Sequence, residues 1–230
     1  MMHKICIIIL LFFSFVLFSL TKKDSKTYID DGTESILTDE EFEKNVPLAL
    51  NGDLYASYNL FEHYISVSMQ SKDEFLQRTL YWAIIAAEND TYGRNIYTLY
   101  SFNRTFNFIS NARSIFWLKK SAQLQYKDSL EEIARLKISI EDESNLDMTS
   151  KIFNLEEYKN SAESGNQYAA ITLFNYYKKS GNNEQIIYWL RIGAQNGNKE
   201  CMKEYAALLR KSSDKYDNIR AEFWEKKATS

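Results

Sequence analysis

Residues 188–198 read YWLRIGAQNGN, and this stretch predicts the fold of the chain. It combines an aromatic pair, two adjacent small residues at Gly193 and Ala194, and a Gly-Asn stop. Glycine suits the left-handed position beyond a helix C-terminus, and asparagine then caps the helix that follows. Small side chains just before the turn allow two helices to approach closely. The stretch therefore predicts the end of one helix, a tight turn and the start of the next helix.

The same pattern recurs along the chain every 32 to 40 positions. Glycine stands in the turn at Gly52, Gly165 and Gly197, which we predict to be structural, whereas Asp90 and Gln125 take its place in two middle copies. Such a period is typical of a solenoid, in which each helix pair buries its apolar face against the next pair. We therefore predict an all-α fold, an α-solenoid of stacked antiparallel helix pairs. The small residues before the turns are Ala49, Ala87, Ala122, Ala162, Ala194 and Thr229.

These residues resemble the signature of the Sel-one-like repeat family, a branch of the tetratricopeptide superfamily. That signature is an aromatic residue, a pair of small residues, Gly-Asn or Gly-Asp, and then a small residue and leucine on the next helix. The resemblance covers roughly residues 39–230 and is best around Gly165 and Gly197, while the copies at Ala87 and Ala122 depart from it. It implies an α-solenoid that binds other proteins, and it implies no particular reaction.

The N-terminus predicts export from the cytoplasm. Residues 5–20 form an uncharged run that is apolar except for Ser14 and Ser19, and it is shorter than the roughly 20 residues of a membrane span and longer than the roughly 7–15 of a cleaved signal core. We expect residues 1–23 to be a signal peptide or a single membrane anchor. Residues 24–37 would be an acidic linker, and 38–230 the solenoid, in the bacterial periplasm or tethered to the inner membrane. The alternative is an anchor with the repeats on the internal face.

Two further local signals concern helix starts and interruptions. Thr38-Asp39-Glu40-Glu41 and Ser71-Lys72-Asp73-Glu74 read as capping boxes. Pro47 falls inside the first expected helix and should kink or restart it. The acidic stretch 140–147 reads as a solvated loop, because it lacks the ligand spacing of a calcium loop.

Charge is unevenly distributed along a chain whose net charge is −3. Residues 91–127 contain six basic residues, no acidic one and many aromatics. In one interpretation the aromatics are core and the basic side chains complement acidic neighbours; in another they form a docking surface for a protein partner. Nucleic acid is disfavoured by the overall acidity and by the absence of any recognised motif. The candidate partner-binding residues are Tyr64, Tyr97, Tyr100, Arg104, Arg113 and Tyr177.

The sequence offers little material for catalysis or metal binding. His3 and His63 are its only histidines, so no His/Cys metal set and no nucleophile–base pair can be assembled from the usual motifs. We expect no cofactor and no enzymatic activity, and replacement of His63 by alanine should leave biological activity intact. Cys201 occupies the small-residue position of its helix and should be a buried structural thiol.

These observations together predict a non-catalytic protein-binding module working outside the cytoplasm. Within that class we expect an immunity-type protein that neutralises one secreted toxin, because the resemblance implies such roles for short exported members. An envelope scaffold or assembly factor is the alternative. A cell-wall or drug hydrolase is the less favoured third possibility.

Overall fold

The computed structural model describes residues 36–70, 76–140 and 153–230. The expected leader, nearly all of the linker, the capping box at 71–74 and most of the acidic loop lie outside these residues. Every regular element within the described ranges is an α-helix, and none is a strand, which confirms the all-α prediction. The helices are α1 (Asp39–Leu50), α2 (Leu54–Gln70), α3 (Leu76–Asn89), α4 (Arg94–Phe106), α5 (Asn111–Gln123), α6 (Lys127–Leu136), α7 (Leu155–Glu163), α8 (Gln167–Ser180), α9 (Asn183–Gln195), α10 (Lys199–Leu209) and α11 (Lys215–Thr229).

The helices are arranged as repeating pairs. Neighbours along the chain pack on one another, as in α1 with α2, α3 with α4 and α9 with α10. First helices of successive pairs also touch, because α1 contacts α3, α5 contacts α7 and α7 contacts α9. The arrangement is therefore repeat-like and compatible with a helical solenoid.

The two ends of this array meet, which the sequence did not predict. Helix α11 packs against α1 as well as against α10, so the last described helix returns to the first. A solenoid of stacked helix pairs, as predicted, does not require its two ends to meet. In the structure they do, and side chains of α3, α9 and α11 contact one another at the centre of the array.

The predicted turns form as expected at the three Gly-Asn or Gly-Asp copies. Gly52, Gly165 and Gly197 have φ angles of 105°, 113° and 96°, in the left-handed region that favours glycine. The next residue then caps the following helix: Asn166 Oδ1 accepts hydrogen bonds from two backbone N–H groups of α8, and Asn198 Oδ1 accepts one from α10. Each such turn needs only these two residues, so consecutive helices begin at a fixed position.

The copies at Ala87 and Ala122, which lack glycine at the expected position, also form a turn, with other residues in the left-handed position. Gln125 adopts the left-handed conformation itself, with φ of 62°. At the earlier copy the left-handed residue is Gly93, three positions later than expected. Gly93 has no side chain with which to cap α4, and the Asp90 carboxylate accepts hydrogen bonds from the N–H groups of Asn95 and Ile96 instead.

The core follows the repeated aromatic and small positions. All four tryptophans stand five positions before a small anchor residue, and each is at most 3% exposed. Gly193 lies so close to α10 that an added Cβ would stand 2.9 Å from Cys201 Cβ, which explains why this slot is small. Cys201 is fully buried, and burial raises the pKa of its thiol to about 12.

Helix α1 begins as expected but is not interrupted. The Thr38 side chain and Glu41 form the reciprocal capping box. Pro47 lies inside α1, yet the helix runs without a break from Asp39 to Leu50, so the expected restart does not occur. No helix in the described ranges is long and apolar enough to cross a membrane.

Candidate functional site

A buried polar cluster joins helices that are distant in sequence, and Glu88 at the end of α3 is its centre. Arg191 Nε of α9 donates to Glu88 Oε1 at 3.1 Å, and Arg220 of α11 donates to Glu88 Oε2 at 2.5 Å. Gln195 Nε2 donates to Glu88 Oε1, and Arg220 also donates to Asn89 Oδ1. All of these side chains are at most 9% exposed. The cluster therefore connects three helices through charged groups removed from water.

A second set of contacts, which resembles those of Arg220 and Lys227 of α11 with the end of α3, holds α5 against the end of α9. We call each of these two sets a joint. Arg113 donates to Gln195 Oε1 at 2.5 Å and to Asn196 Oδ1 at 2.6 Å. Lys120, two turns along α5, donates to the main-chain carbonyl of Gln195. On α11, Lys227 makes the matching bond to the carbonyl of Glu88. Each joint thus places an arginine and a lysine of one helix on the carboxyl end of another.

The two joints match because the sequence is duplicated at a distance of 107 positions. Residues 111–120 (NARSIFWLKK) and 218–227 (NIRAEFWEKK) are identical at six of ten positions. Residues 81–89 (YWAIIAAEN) and 188–196 (YWLRIGAQN) are identical at five of nine. The first half (α1–α6) and the second half (α7–α11) are thus related in these segments. The fifth helix of each half covers helix ends of the other: α11 lies on the carboxyl ends of α1 and α3, and α5 lies on the carboxyl end of α9. This offset is a signal in the sequence itself, but it spans three helix pairs and does not show between neighbouring pairs.

Stacking reinforces the equivalence of the two joints. The Arg113 guanidinium lies 3.9 Å from the ring centre of Phe116, and that of Arg220 lies 3.8 Å from the ring centre of Phe223. Such contacts are worth about 0.5–2 kcal/mol, more when they are removed from water. Both arginines are therefore held by aromatic faces as well as by hydrogen bonds.

Electrostatics favour the charged forms at the centre. Burial alone would raise the pKa of Glu88, but Arg191 and Arg220 outweigh it and lower the pKa to about 2. Burial lowers the pKa of Arg113 to about 10, partly offset by Glu163. Glu88 is thus ionised at neutral pH.

A small cavity borders this cluster. Its volume is about 40 Å³, and its walls include Arg191, Arg220, Tyr205 and Asp217. Burial raises the pKa of Asp217. The Nε atom of Arg220 is buried and has no hydrogen-bond partner. A cavity of this size has room for about three water molecules.

Three of the six sequence-predicted partner-binding residues are buried in the fold. Tyr64 is 5% exposed and belongs to the core around α1–α5, and Tyr100 is 3% exposed and donates to Glu132 Oε1. Arg113 is 3% exposed in the joint described above. In this conformation these three offer little surface to a partner, because their side chains hold the helices together.

The other three predicted residues retain surface. Arg104 donates to Glu132 Oε1 at 2.7 Å, and half of its side chain is exposed. Tyr97 is half-buried beside Tyr100, and Tyr177 is half-buried on α8 beside Tyr176. The structure does not bring Arg104 and Tyr177 into one cluster with each other, and their binding role stays a prediction.

Exposed tyrosines near the inter-helix turns were not singled out from the sequence. Tyr55 is 77% exposed at the start of α2, Tyr168 is 51% exposed at the start of α8, and Tyr92 is 70% exposed in the turn before α4. Tyr55 and Tyr168 both stand three positions after a turn glycine, so the repeat register could have identified them. We call Tyr55, Tyr92 and Tyr168 the turn tyrosines.

His63 sits in a structural position near the start of the array. Its Nδ1 accepts a hydrogen bond from the Leu37 N–H at 3.1 Å, and its ring packs against Phe42 and Tyr64. Burial lowers the pKa of His63 to about 4, so the ring is neutral at pH 7. It ties the residues before α1 to α2.

Other ligand chemistry is not evident in the described ranges. They contain no group of three or more His, Cys, Asp or Glu side chains placed to hold a metal ion. In comparisons with protein-family models, with curated proteins and with solved structures, no match was found. The resemblance to the Sel-one-like repeat family therefore rests on the repeat residues alone.

Proposed function

We propose that this chain is a non-catalytic protein-binding module, working outside the cytoplasm as an immunity-type protein against one secreted toxin. The repeat-like helical fold and the resemblance of its turns to a family of protein-binding solenoids support the general class. The export signal expected in residues 1–23 supports the location. An envelope scaffold or assembly factor remains the alternative within the same class.

The observation that carries the proposal is the exposure of the turn tyrosines. Tyrosine contributes a large, rigid apolar surface with a polar tip, and it is enriched among the residues that dominate binding energy at interfaces. In contrast, many of the large polar side chains at the centre of the array are used to hold the helices together. The surface, rather than the centre, is therefore the part of this molecule with side chains free to meet a partner.

The test is binding of the purified mature protein to a toxin encoded by a neighbouring gene, measured by calorimetry. Tyr55→Ala and Tyr168→Ala should each weaken binding about tenfold or more, since truncation of a binding hot spot costs over about 1 kcal/mol. Tyr176→Ala is the control. Tyr176 is likewise an exposed tyrosine, at 43%, but it lies near the other end of α8.

Two results would count against this assignment. Binding that is unaffected by both substitutions would place the interface elsewhere on the surface. Absence of binding to any neighbouring gene product would argue against the immunity role, and loss of a multiprotein envelope complex on deletion of the gene would then favour the scaffold.

A further inference from the structure

The contacts between the two halves of the chain are reciprocal. Arg113 of the first half donates from Nη1 to Asn196 Oδ1 of the second half, at 2.6 Å. The equivalent Arg220 of the second half donates from Nη1 to Asn89 Oδ1 of the first half, at 3.0 Å. Such an exchange of the same contact in both directions is the property of an interface with two-fold symmetry. In these contacts the two halves are therefore arranged like the two subunits of a symmetric dimer.

The turns that follow α1 and α7 take equivalent places in this arrangement. An added Cβ at Gly52 would lie 2.9 Å from the ring of Phe223, on α11 of the other half. An added Cβ at Gly165 would lie 2.7 Å from the ring of Phe116, on α5 of the other half. The two phenylalanines are themselves equivalent, at a distance of 107 positions. Each of the two turns thus packs against the opposite half in the same way.

An exposed tyrosine follows each of these turns. Residues 49–64 (ALNGDLYASYNLFEHY) and 162–177 (AESGNQYAAITLFNYY) are identical at seven of sixteen positions. Six of the seven are the turn glycine and residues that pack in the core. The seventh is Tyr55 in the first half and Tyr168 in the second, which are 77% and 51% exposed. The same large aromatic residue therefore stands at this position in both halves, although neither side chain belongs to the core.

Other exposed positions in the two segments differ between the halves. The exposed Asn59 corresponds to Thr172, and the exposed Tyr176 corresponds to His63. Within 49–64 and 162–177, the turn tyrosines are the one identical pair that is exposed in both halves. Exposed tyrosine supplies a rigid apolar ring with a polar tip, a frequent anchor of protein interfaces. The pair therefore indicates two surface sites that are used in the same way.

From this geometry we infer that the turns carrying Tyr55 and Tyr168 form two equivalent docking sites for a homodimeric protein, each of whose identical subunits covers one site. Each subunit presents an apolar cleft for the tyrosine ring and a hydrogen-bond partner for its hydroxyl group. A two-fold symmetric partner shows the same surface twice, which matches a surface that this chain also shows twice. This inference rests on the proposed function and adds the number of sites and the symmetry of the partner.

The experiment uses the full mature chain and the product of the neighbouring gene, as in the test of the proposed function. Light scattering during size-exclusion chromatography should show that this product is a dimer and that the mature chain alone is a monomer. The complex should contain one copy of the chain and two partner subunits.

Single variants test whether the two sites are equivalent. Tyr55→Ala and Tyr168→Ala should lower the affinity by the same factor, within about twofold of each other. Because the two sites are linked through one partner molecule, the double variant should lose about the product of the two factors, roughly a hundredfold or more. Tyr92→Ala is the control, since Tyr92 is 70% exposed in a turn but Lys199 stands at the equivalent position, 107 residues later. It should change the affinity less than about threefold.

The outcomes separate this inference from the proposed function. A complex with equal numbers of chains and partner subunits would overturn the two-site inference and leave the protein-binding function standing. A large loss from only one of the two single variants would do the same. Absence of binding would overturn both. A mature chain that is itself a dimer, and that becomes a monomer when either tyrosine is replaced, would identify a second copy of this chain as the occupant instead.

Discussion

Gln195 and Glu88 occupy equivalent positions in the two halves of the chain, and the Gln195 amide donates to the Glu88 carboxylate at 2.5 Å. The two halves therefore contact each other through residues that hold the same position in each half. At that point α5 covers the end of α9, and α11 covers the end of α3. The described helices are therefore organised as two related halves that complete each other.

The carboxylate at this point should be necessary for stability. Glu88→Gln leaves Arg191 and Arg220 buried without their shared counter-charge, so we expect a loss of about 3–5 kcal/mol in the free energy of unfolding. Urea denaturation at pH 7 measures it. Adding Arg191→Ile to this variant should recover a large part of the loss, since removal of a whole buried ion pair costs less than removal of one partner. A loss below about 1 kcal/mol for the single variant would contradict this.

Mild acid should weaken the first helix pair through His63. The pKa of His63 is about 4 in the folded protein, from a reference value of 6.5. The unfolded chain therefore binds the proton first, and stability is full above pH 6.5 and falls as the pH drops towards 4. We expect a loss of about 3 kcal/mol over this window, measured by denaturation at a series of pH values. His63→Gln, which keeps a hydrogen-bond acceptor for Leu37, should flatten the profile there while leaving partner binding unchanged.

A second, acid-dependent loss of stability, due to Glu88, should follow at lower pH. The pKa of Glu88 is about 2 when folded, against a reference value of 4.5. Its contribution is present above pH 4.5 and is lost as the pH falls towards 2, because the unfolded chain takes up the proton first. The Glu88→Gln/Arg191→Ile variant should lose this step and keep the His63 step. Persistence of the low-pH step in that variant would assign it to other carboxylates.

The close approach of α9 and α10 can be tested at Gly193. Alanine normally stabilises a helix interior by up to about 1 kcal/mol relative to glycine, but here its methyl group would lie 2.9 Å from Cys201 Cβ. The cost of overpacking should exceed the gain in helix propensity, so Gly193→Ala should lower the free energy of unfolding by about 1–3 kcal/mol. Adding Cys201→Gly to this variant should recover part of the lost free energy of unfolding. Gly181→Ala is a comparison of another kind: nothing lies within 4 Å of its added Cβ, but its φ of 70° is left-handed, so its loss of stability should come from backbone strain and should not be relieved by Cys201→Gly.

Replacement of two adjacent lysines on α11 should change the free energy of unfolding by very different amounts. Lys227 donates to the Glu88 carbonyl at 2.8 Å from a half-buried position, whereas Lys226 donates to Asn51 Oδ1 at the surface. Lys227→Met should cost about 1.5–3 kcal/mol, in line with hydrogen bonds to charged groups. Lys226→Met should stay within about 0.5 kcal/mol of the parent protein. Similar losses from both would indicate that the carbonyl of Glu88 is adequately solvated without Lys227.

The sequence predicted the local structure well wherever a turn depends on two or three neighbouring residues. Gly165 and Gly197 are left-handed and the asparagine after each caps the next helix, because backbone sterics and capping act within one turn. At Ala87 the expected register was wrong by three residues. There Asp90 caps α4 across a longer loop, an interaction that no short motif specifies.

The central cluster could not be predicted from the helix pairs taken one at a time. Glu88 and Arg220 are separated by 132 positions, and their contact depends on α11 returning to α1. Arg113 was predicted to lie on a binding surface for a similar reason: its hydrogen-bond partners Gln195 and Asn196 are 82 and 83 positions away, and its acid-free neighbourhood gave no sign of them. The offset of 107 positions was the available signal, since it places Arg113 and Arg220 at the same point of two related segments.

The position of α11 has a consequence for biosynthesis. Residues 215–229 seal the carboxyl ends of α1 and α3, which are made more than a hundred residues earlier. A nascent chain that has not yet produced this segment leaves Leu50 O and Glu88 open to solvent, so its early helices cannot reach their mature packing during translation. Premature termination before residue 215 should therefore yield a product that quality-control proteases recognise and remove.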